Sequence, residues 1–417
     1  MFTCAYLIMN LIFITLANKY YSRVINPVTV YSSVWLLAVL IHQSGLIYYY
    51  PLSLFTWLVI FLAQIVFSVS CFIGKRYDTE KYVLTEEENE QLKHQLNKYI
   101  LITLSLASVG VLSSIYNIIS IFGTNMLANI TNVYAARVSG MEDFQLIPYV
   151  GSFIFIALPL SAIYVKRYGF SLWVILTFVM VALNALTSGG RAGIVFSLLM
   201  FVFAYLFTDK KEEENQQSTS RKGLYFSAVL LVAMFVVMSS YRTAGNEIEY
   251  ATDLYYRVFG DNVLVFKIFA YIANPLGVLN EYLKDCTFDF GHNTLLPIYN
   301  IIAKFGLMER VEQYQSWYEV PALCNVGTWL RELVEDFTIF GAIPFIMVYA
   351  LVLNSQYQKA IYRGSISHIV ITSMLMMMIA MSFFDWKLRT SSLWIALAFG
   401  YYIGNRIQNA VFQKEDD

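Results

Sequence analysis

Charge is what this chain has least of. Only 14 % of its 417 residues are Asp, Glu, Lys or Arg, while 58 % are hydrophobic. A soluble domain is usually about a quarter charged. Neither sign predominates: 28 Lys and Arg stand against 29 Asp and Glu. That balance gives no electrostatic footprint for a nucleic acid, and no basic cluster with interleaved aromatics supplies one. Cysteine and histidine are scarce, at 4 each, and the cysteines fit no metal-ligand spacing. Cys4 and Cys71 lie in apolar runs. Cys286 and Cys324 share one long polar-rich loop, either as separate packed thiols or as a disulfide if the loop is extracytoplasmic. The first apolar run lacks a basic n-region and a cleavage site, so it does not read as a secretory signal.

Long apolar runs are plentiful instead. Runs of about 17 to 22 residues recur, each long enough to cross a bilayer. Continuous apolar blocks, without alternation, exclude a transmembrane β-barrel. The expected fold is all-α: a polytopic helical membrane protein with about eleven spans. They fall at 2–17, 30–49, 54–73, 99–122, 148–165, 170–187, 192–208, 223–240, 339–353, 366–384 and 390–405. The whole of 1–417 reads as a single integral membrane domain, with one large outer loop at 241–338. Within that loop, 262–280 is apolar but interrupted by Lys267 and Asn274-Pro275, which leaves a span, a re-entrant helix or an interfacial helix open.

Lys and Arg set the orientation. Loops 18–29, 74–98, 166–169, 209–222, 354–365 and 406–417 are rich in them and are expected to be cytoplasmic. Apart from the long loop, the opposite set holds only Arg137, Arg191, Lys387 and Arg389. The amino terminus is then outside and the carboxyl terminus inside. TEEENEQLKHQLNK (85–98) has helical spacing and mixed charge, and DKKEEENQQSTSRK (209–222) is polar and low in complexity; both read as solvated. No internal repeat of interrupted helices points to a secondary transporter.

The turn TSGGRAG (187–193) stands out between two apolar runs. Arg191 sits at the start of a helix, where the macrodipole disfavours a cation, and in an outer loop, where Arg is depleted. Both penalties reverse if an anion binds there. Gly189, Gly190 and Gly193 allow close approach to the backbone, and the guanidinium fork grips phosphate in two places. The plainer reading is a hairpin whose arginine snorkels to headgroups. Arg137 in NVYAARVSG, Arg242 in SSYRTAG and Arg331 are expected at the same leaflet, and Arg suits bidentate phosphate recognition. Tyr241 and Arg257 are further candidates for substrate binding.

The run TWLRELVEDFTIFG adds carboxylates. On a helix Arg331 and Glu335 are four apart and positioned to pair, with Glu332 and Asp336 on a neighbouring face. A carboxylate near bound pyrophosphate orients or deprotonates an attacking hydroxyl; the alternative is a charged helix entering a span. His292, in FGHNTLLP, is either a general base or a surface residue. Tyr255, Tyr256, Tyr314, Trp317 and Tyr318 are candidates for stacking on sugar rings, against the ordinary reading of belt and core aromatics.

These features together resemble a known family. The hairpin with a GR turn (GRAG, 190–193), the long outer loop, FGHNTLLP and NVGTWLRELVEDFTIFG (325–341) are similar to the Wzy-type O-antigen and oligosaccharide repeat-unit polymerases. Where family members often carry D-F-G-x-x-G, this chain has DFTIFG, with Thr338 in place of a glycine. The resemblance implies a GT-C-like helical fold and a glycosyltransferase that needs no metal and no cofactor. The implied partners are undecaprenyl-pyrophosphate-linked oligosaccharides as donor and acceptor, membrane lipid and, as the family often has, a chain-length regulator. It implies the bacterial cytoplasmic membrane, with the site facing outward. Arg191, Arg242 and Arg331 would hold the leaving pyrophosphate; Glu332 and Asp336 would handle the hydroxyl. No D-x-D pattern appears in the outer loops. A lipid-linked oligosaccharide flippase and an O-antigen ligase are the alternatives.

Overall fold

The structure, a computed structural model, describes residues 1–74, 84–124, 132, 133, 136, 147, 149–188, 192–209, 247–309, 311 and 315–412. Helix dominates it. The helices are α1 (Phe2–Tyr21), α2 (Pro27–Gln43), α3 (Leu54–Ile73), α4 (Glu86–Phe122), α5 (Ile154–Tyr168), α6 (Leu172–Ser188), α7 (Ala192–Phe207), α8 (Asp253–Phe259), α9 (Val263–Tyr282), α10 (Leu296–Lys304), α11 (Trp329–Arg363), α12 (Ile366–Ala380) and α13 (Ser391–Phe412). One small antiparallel hairpin, β1 (Tyr318–Glu319) and β2 (Leu323–Cys324), pairs Tyr318 with Cys324.

Local chemistry sets several boundaries. Asn26 caps α2 by accepting from the Thr29 N–H, and Pro27 fills the first helical position, where its missing N–H is harmless. Ser53 caps α3 through the Thr56 N–H. Thr85 and Glu88 form a capping box at the head of α4. The helical spacing of 85–98 is therefore real, but the segment continues into the next apolar run as one 37-residue helix. At 1.5 Å per residue that is about 55 Å, longer than a bilayer core of about 30 Å.

Among the described residues six helices are long and apolar enough to cross a membrane, and four shorter apolar helices accompany them. The chain is a helical membrane protein. The expected span 223–240 lies outside the described residues. Around Pro275 the sequence suggests an interruption, yet α9 runs unbroken through it for 20 residues. The expected span at 339–353 starts just past a non-helical residue, Thr338, which separates it from the helical segment that begins at Trp329.

The chain forms two compact units. The first comprises Met1–Lys75, Ala244–Ser355 and Met378–Thr390. At one end of it, the Tyr48 N–H donates to Tyr250 O at 2.9 Å and the Trp329 N–H to Ser382 O at 2.9 Å. These bonds join the 44–53 and 381–390 connections to the long loop. At its other end Tyr21 donates to Asn354 Oδ1 at 2.8 Å and Tyr20 to Gly74 O at 3.2 Å. The second unit comprises Arg76–Thr243, Gln356–Met377 and Ser391–Asp417. There Tyr168 donates to Asn89 Oδ1 at 2.8 Å and Ser365 to Gln408 Oε1 at 2.5 Å. Within each unit, connections that the Lys and Arg count assigns to one side meet one another.

The stretch 47–53 runs beside α9. Ile47 packs with Phe266 and Ala270. Tyr49 donates to Asn274 Oδ1 at 2.7 Å, and the Ser53 N–H donates to Asn280 Oδ1 at 2.8 Å.

Candidate active site at the start of α11

The first two turns of α11 carry Arg331, Glu332, Glu335 and Asp336. Thr328 accepts the Arg331 N–H on its hydroxyl at 3.3 Å, as an N-cap residue does. Tertiary packing must hold this segment, because four charges in six residues would not enter an apolar environment unaided.

Arg331 is fully buried. Its guanidinium carbon lies 5.6 Å from the Tyr282 ring centre and 5.0 Å from that of Tyr318, within cation–π range of both. Nη1 donates to Asn325 O at 3.5 Å, and Nε has no partner among the described residues. A Cβ on Gly327 would meet the Arg331 Cδ at 2.4 Å, so the glycine of NVGTW is what lets the side chain lie there. The pairing with Glu335 anticipated from the four-residue spacing does not form. The rings of Tyr282 and Tyr318 hold the guanidinium, and Glu335 Oε2 instead accepts from Asn293 Nδ2 at 3.2 Å.

Glu332 faces a different neighbour. Its Oε1 is 3.6 Å from Arg389 Nη1, and its buried Oε2 has no partner among the described residues. Arg389 Nε lies 3.6 Å from Asp385 Oδ1, and Lys387 pairs with Asp385 Oδ2. Burial works to raise the Asp385 carboxyl, but the Lys387 and Arg389 charges outweigh it and hold the group below its usual range. Burial raises the Tyr318 phenol, with Arg331 opposing.

The Asp336 carboxylate is fully engaged. Oδ1 accepts the Asn293 N–H at 2.8 Å and Asn293 Nδ2 at 3.1 Å, and Oδ2 accepts the Thr294 N–H at 2.6 Å. The backbone repeats the attachment: the Asp289 and Gly291 N–H groups donate to Glu335 O and Asp336 O at 2.8 and 3.2 Å. Trp386 then donates to Thr294 Oγ1 at 2.9 Å. FGHNTLLP and NVGTWLRELVEDFTIFG, remote in sequence, are thus one local structure.

Thr338 interrupts α11 with φ 58° and ψ 177°. A side chain at positive φ with extended ψ is strained by about 1 to 3 kcal/mol. A glycine at this point would adopt it freely. Past the kink, a Cβ on Gly341 would meet the Phe337 Cβ at 2.7 Å.

Other candidates stand apart. His292 is half-buried with its ring edge-on to Tyr299 at 5.0 Å. Arg257 is exposed on the last turn of α8 and has no ion pair to the cluster among the described residues. Arg137, Gly189, Gly190, Arg191, Tyr241, Arg242 and Tyr314 lie outside the described residues. Cys286 and Cys324 are not joined in a disulfide. A small apolar crevice, lined by Ile47, Tyr49, Tyr250, Phe266, Asn274 and Pro321 among others, includes no charged side chain.

Sequence reasoning missed Asp385, Lys387 and Arg389 as site residues. A signal existed, since Lys387 and Arg389 are two of only four cations in the short connections opposite the basic set. Comparison with family models, curated proteins and solved structures finds no match to this chain.

Proposed function

We propose that this protein is a polymerase of lipid-linked oligosaccharides, joining undecaprenyl-pyrophosphate-linked repeat units with a GT-C-like fold at the outer leaflet of a bacterial cytoplasmic membrane. The observation that carries this reading is Arg331: a fully buried guanidinium with one 3.5 Å hydrogen bond and no carboxylate within ion-pair distance among the described residues. A buried guanidinium without an ion-paired carboxylate is costly, and an anion in contact with it lowers that cost. Pyrophosphate is such an anion.

The chemistry divides between two neighbouring side chains. The acceptor hydroxyl oxygen bonds to the donor's anomeric carbon, and the bond from that carbon to the phosphate oxygen breaks. Its electron pair leaves on undecaprenyl pyrophosphate, where Arg331 stabilises the charge. The hydroxyl proton passes to Glu332 Oε2. Of Glu332 and Asp336, only Glu332 has an oxygen without a hydrogen-bond donor. Asp336 positions the loop that carries His292.

A deletion strain tests the reading by the surface glycan it makes. Glycan bearing a single repeat, restored to a ladder by the wild-type chain, identifies a polymerase. Loss of all repeats with intermediates trapped inside identifies a flippase, and unattached full-length polymer a ligase; either result rejects the proposal.

A further inference from the structure

The long loop carries an apolar face that no described residue of the first unit covers. On α10, Ile298 and Ile301 are three apart on one helix face, and Phe305 follows as the C-cap residue. All three are exposed, as is Leu307 beyond the helix end. Phe305 and Leu307 are each 77 % exposed, and Phe288 and Phe290 on the preceding turn are exposed as well. The first turn of the helix, by contrast, buries Leu296 and Pro297. Single exposed apolar residues are ordinary, but a contiguous group of this size marks a contact surface.

What covers it follows from what it adjoins. Tyr299 of α10 donates to Phe290 O at 2.7 Å. Phe290 meets Phe337 edge-on at 6.4 Å, and Phe337 stacks on Phe345 at 5.6 Å. Phe345 lies past the Thr338 kink, in the apolar part of α11. That part has its own exposed stripe of Phe340, Met347, Val348 and Val352. Phe340 is 87 % exposed, and on a helix long and apolar enough to cross a membrane such a stripe faces acyl chains. One hydrogen bond and two ring contacts thus connect α10 to the apolar part of α11 that carries this stripe.

We infer that α10 and the 288–290 turn are seated in the membrane interface, with Ile298, Ile301, Phe305 and Leu307 immersed in lipid. An amphipathic helix lying in the plane of the interface buries its apolar face by about 5 to 10 Å. The loop is then a collar at the bilayer surface. Through Asp336, Asn293 and Thr294 it fixes the charged start of α11 at the level of the headgroups. The inference does not depend on the reaction catalysed.

Site-directed spin labelling in lipid vesicles tests it. Cys4, Cys71, Cys286 and Cys324 are replaced by alanine in a chain that keeps the wild-type thermal midpoint. Labels are then placed through Ile301→Cys, Phe305→Cys and, as a control on exposed backbone, Asp285→Cys. Collision with oxygen, which partitions into lipid, should dominate at 301 and 305; collision with a water-soluble nickel chelate should dominate at 285. Nickel-dominated signals at both 301 and 305 overturn the inference. So does dipolar broadening at these two sites that disappears on dilution with unlabelled protein, because the face then docks on a second copy. Two positions on one face keep the test decisive if one variant fails to fold.

Discussion

Asp336 accepts the backbone N–H of Thr294 at 2.6 Å, across 42 positions of sequence. With the two bonds from Asn293, this carboxylate is the clasp between α11 and the FGHNT turn. Hydrogen bonds to a charged group contribute about 1.5 to 3 kcal/mol. Asp336→Ala should destabilise the detergent-solubilised protein by about 3 kcal/mol, read as a lower thermal midpoint. Asp336→Asn should cost about 2 kcal/mol, since its amide places a donor against donors.

Thr338 gives the opposite sign. Its φ of 58° is one that a side chain resists. Thr338→Gly removes about 1 to 3 kcal/mol of strain and adds about 0.5 to 1 kcal/mol of unfolded-state entropy. A net gain near 1 kcal/mol is expected, seen as a raised thermal midpoint with chain growth intact. A fall in midpoint would show that the kink is not strained.

Gly327 keeps Arg331 in its place. Gly327→Ala should push the guanidinium from between Tyr282 and Tyr318 and cut chain growth about tenfold, or about 1.4 kcal/mol in barrier. The thermal midpoint should move far less than for Asp336→Ala. Equal loss in both readouts would make Gly327 a folding residue only.

Much of this architecture is legible in the sequence, for a physical reason. The apolar runs of α1, α3, α5, α6 and α7 announce themselves by length, because a span must be apolar throughout. The start of α11 does not, because Arg331, Glu332, Glu335 and Asp336 break the run; their burial depends on partners from 282–294, 318 and 385–389, which no window of α11 contains. The spacing of Arg331 and Glu335 is correct for an ion pair, but spacing cannot see Tyr282 and Tyr318 competing for the guanidinium. Lys387 and Arg389 are visible as stray cations and unreadable as site residues until the fold brings Glu332 to them. FGHNTLLP and NVGTWLRELVEDFTIFG stand out in the sequence, but the Asp336 clasp between them does not.

Asp385 gives a pH dependence. Its folded value lies below the ordinary one, because Lys387 and Arg389 outweigh burial. The folded state therefore binds fewer protons than the unfolded chain. The stabilisation is fully present above the unfolded carboxyl value of about 3.9 and is lost as pH falls through the folded value. Thermal midpoints should drop over this acid range in the wild type, and the drop should be smaller in Asp385→Asn.

The central claim is that Arg331 binds the leaving pyrophosphate. The most direct measurement is coupling of lipid-linked repeat units by purified wild-type protein, Arg331→Lys and Arg331→Ala at matched amounts and matched helical content. Lysine keeps the charge and loses the planar fork. The account predicts robust coupling by the wild type, weak coupling by the lysine variant and none by the alanine variant. Full coupling by Arg331→Ala would contradict it.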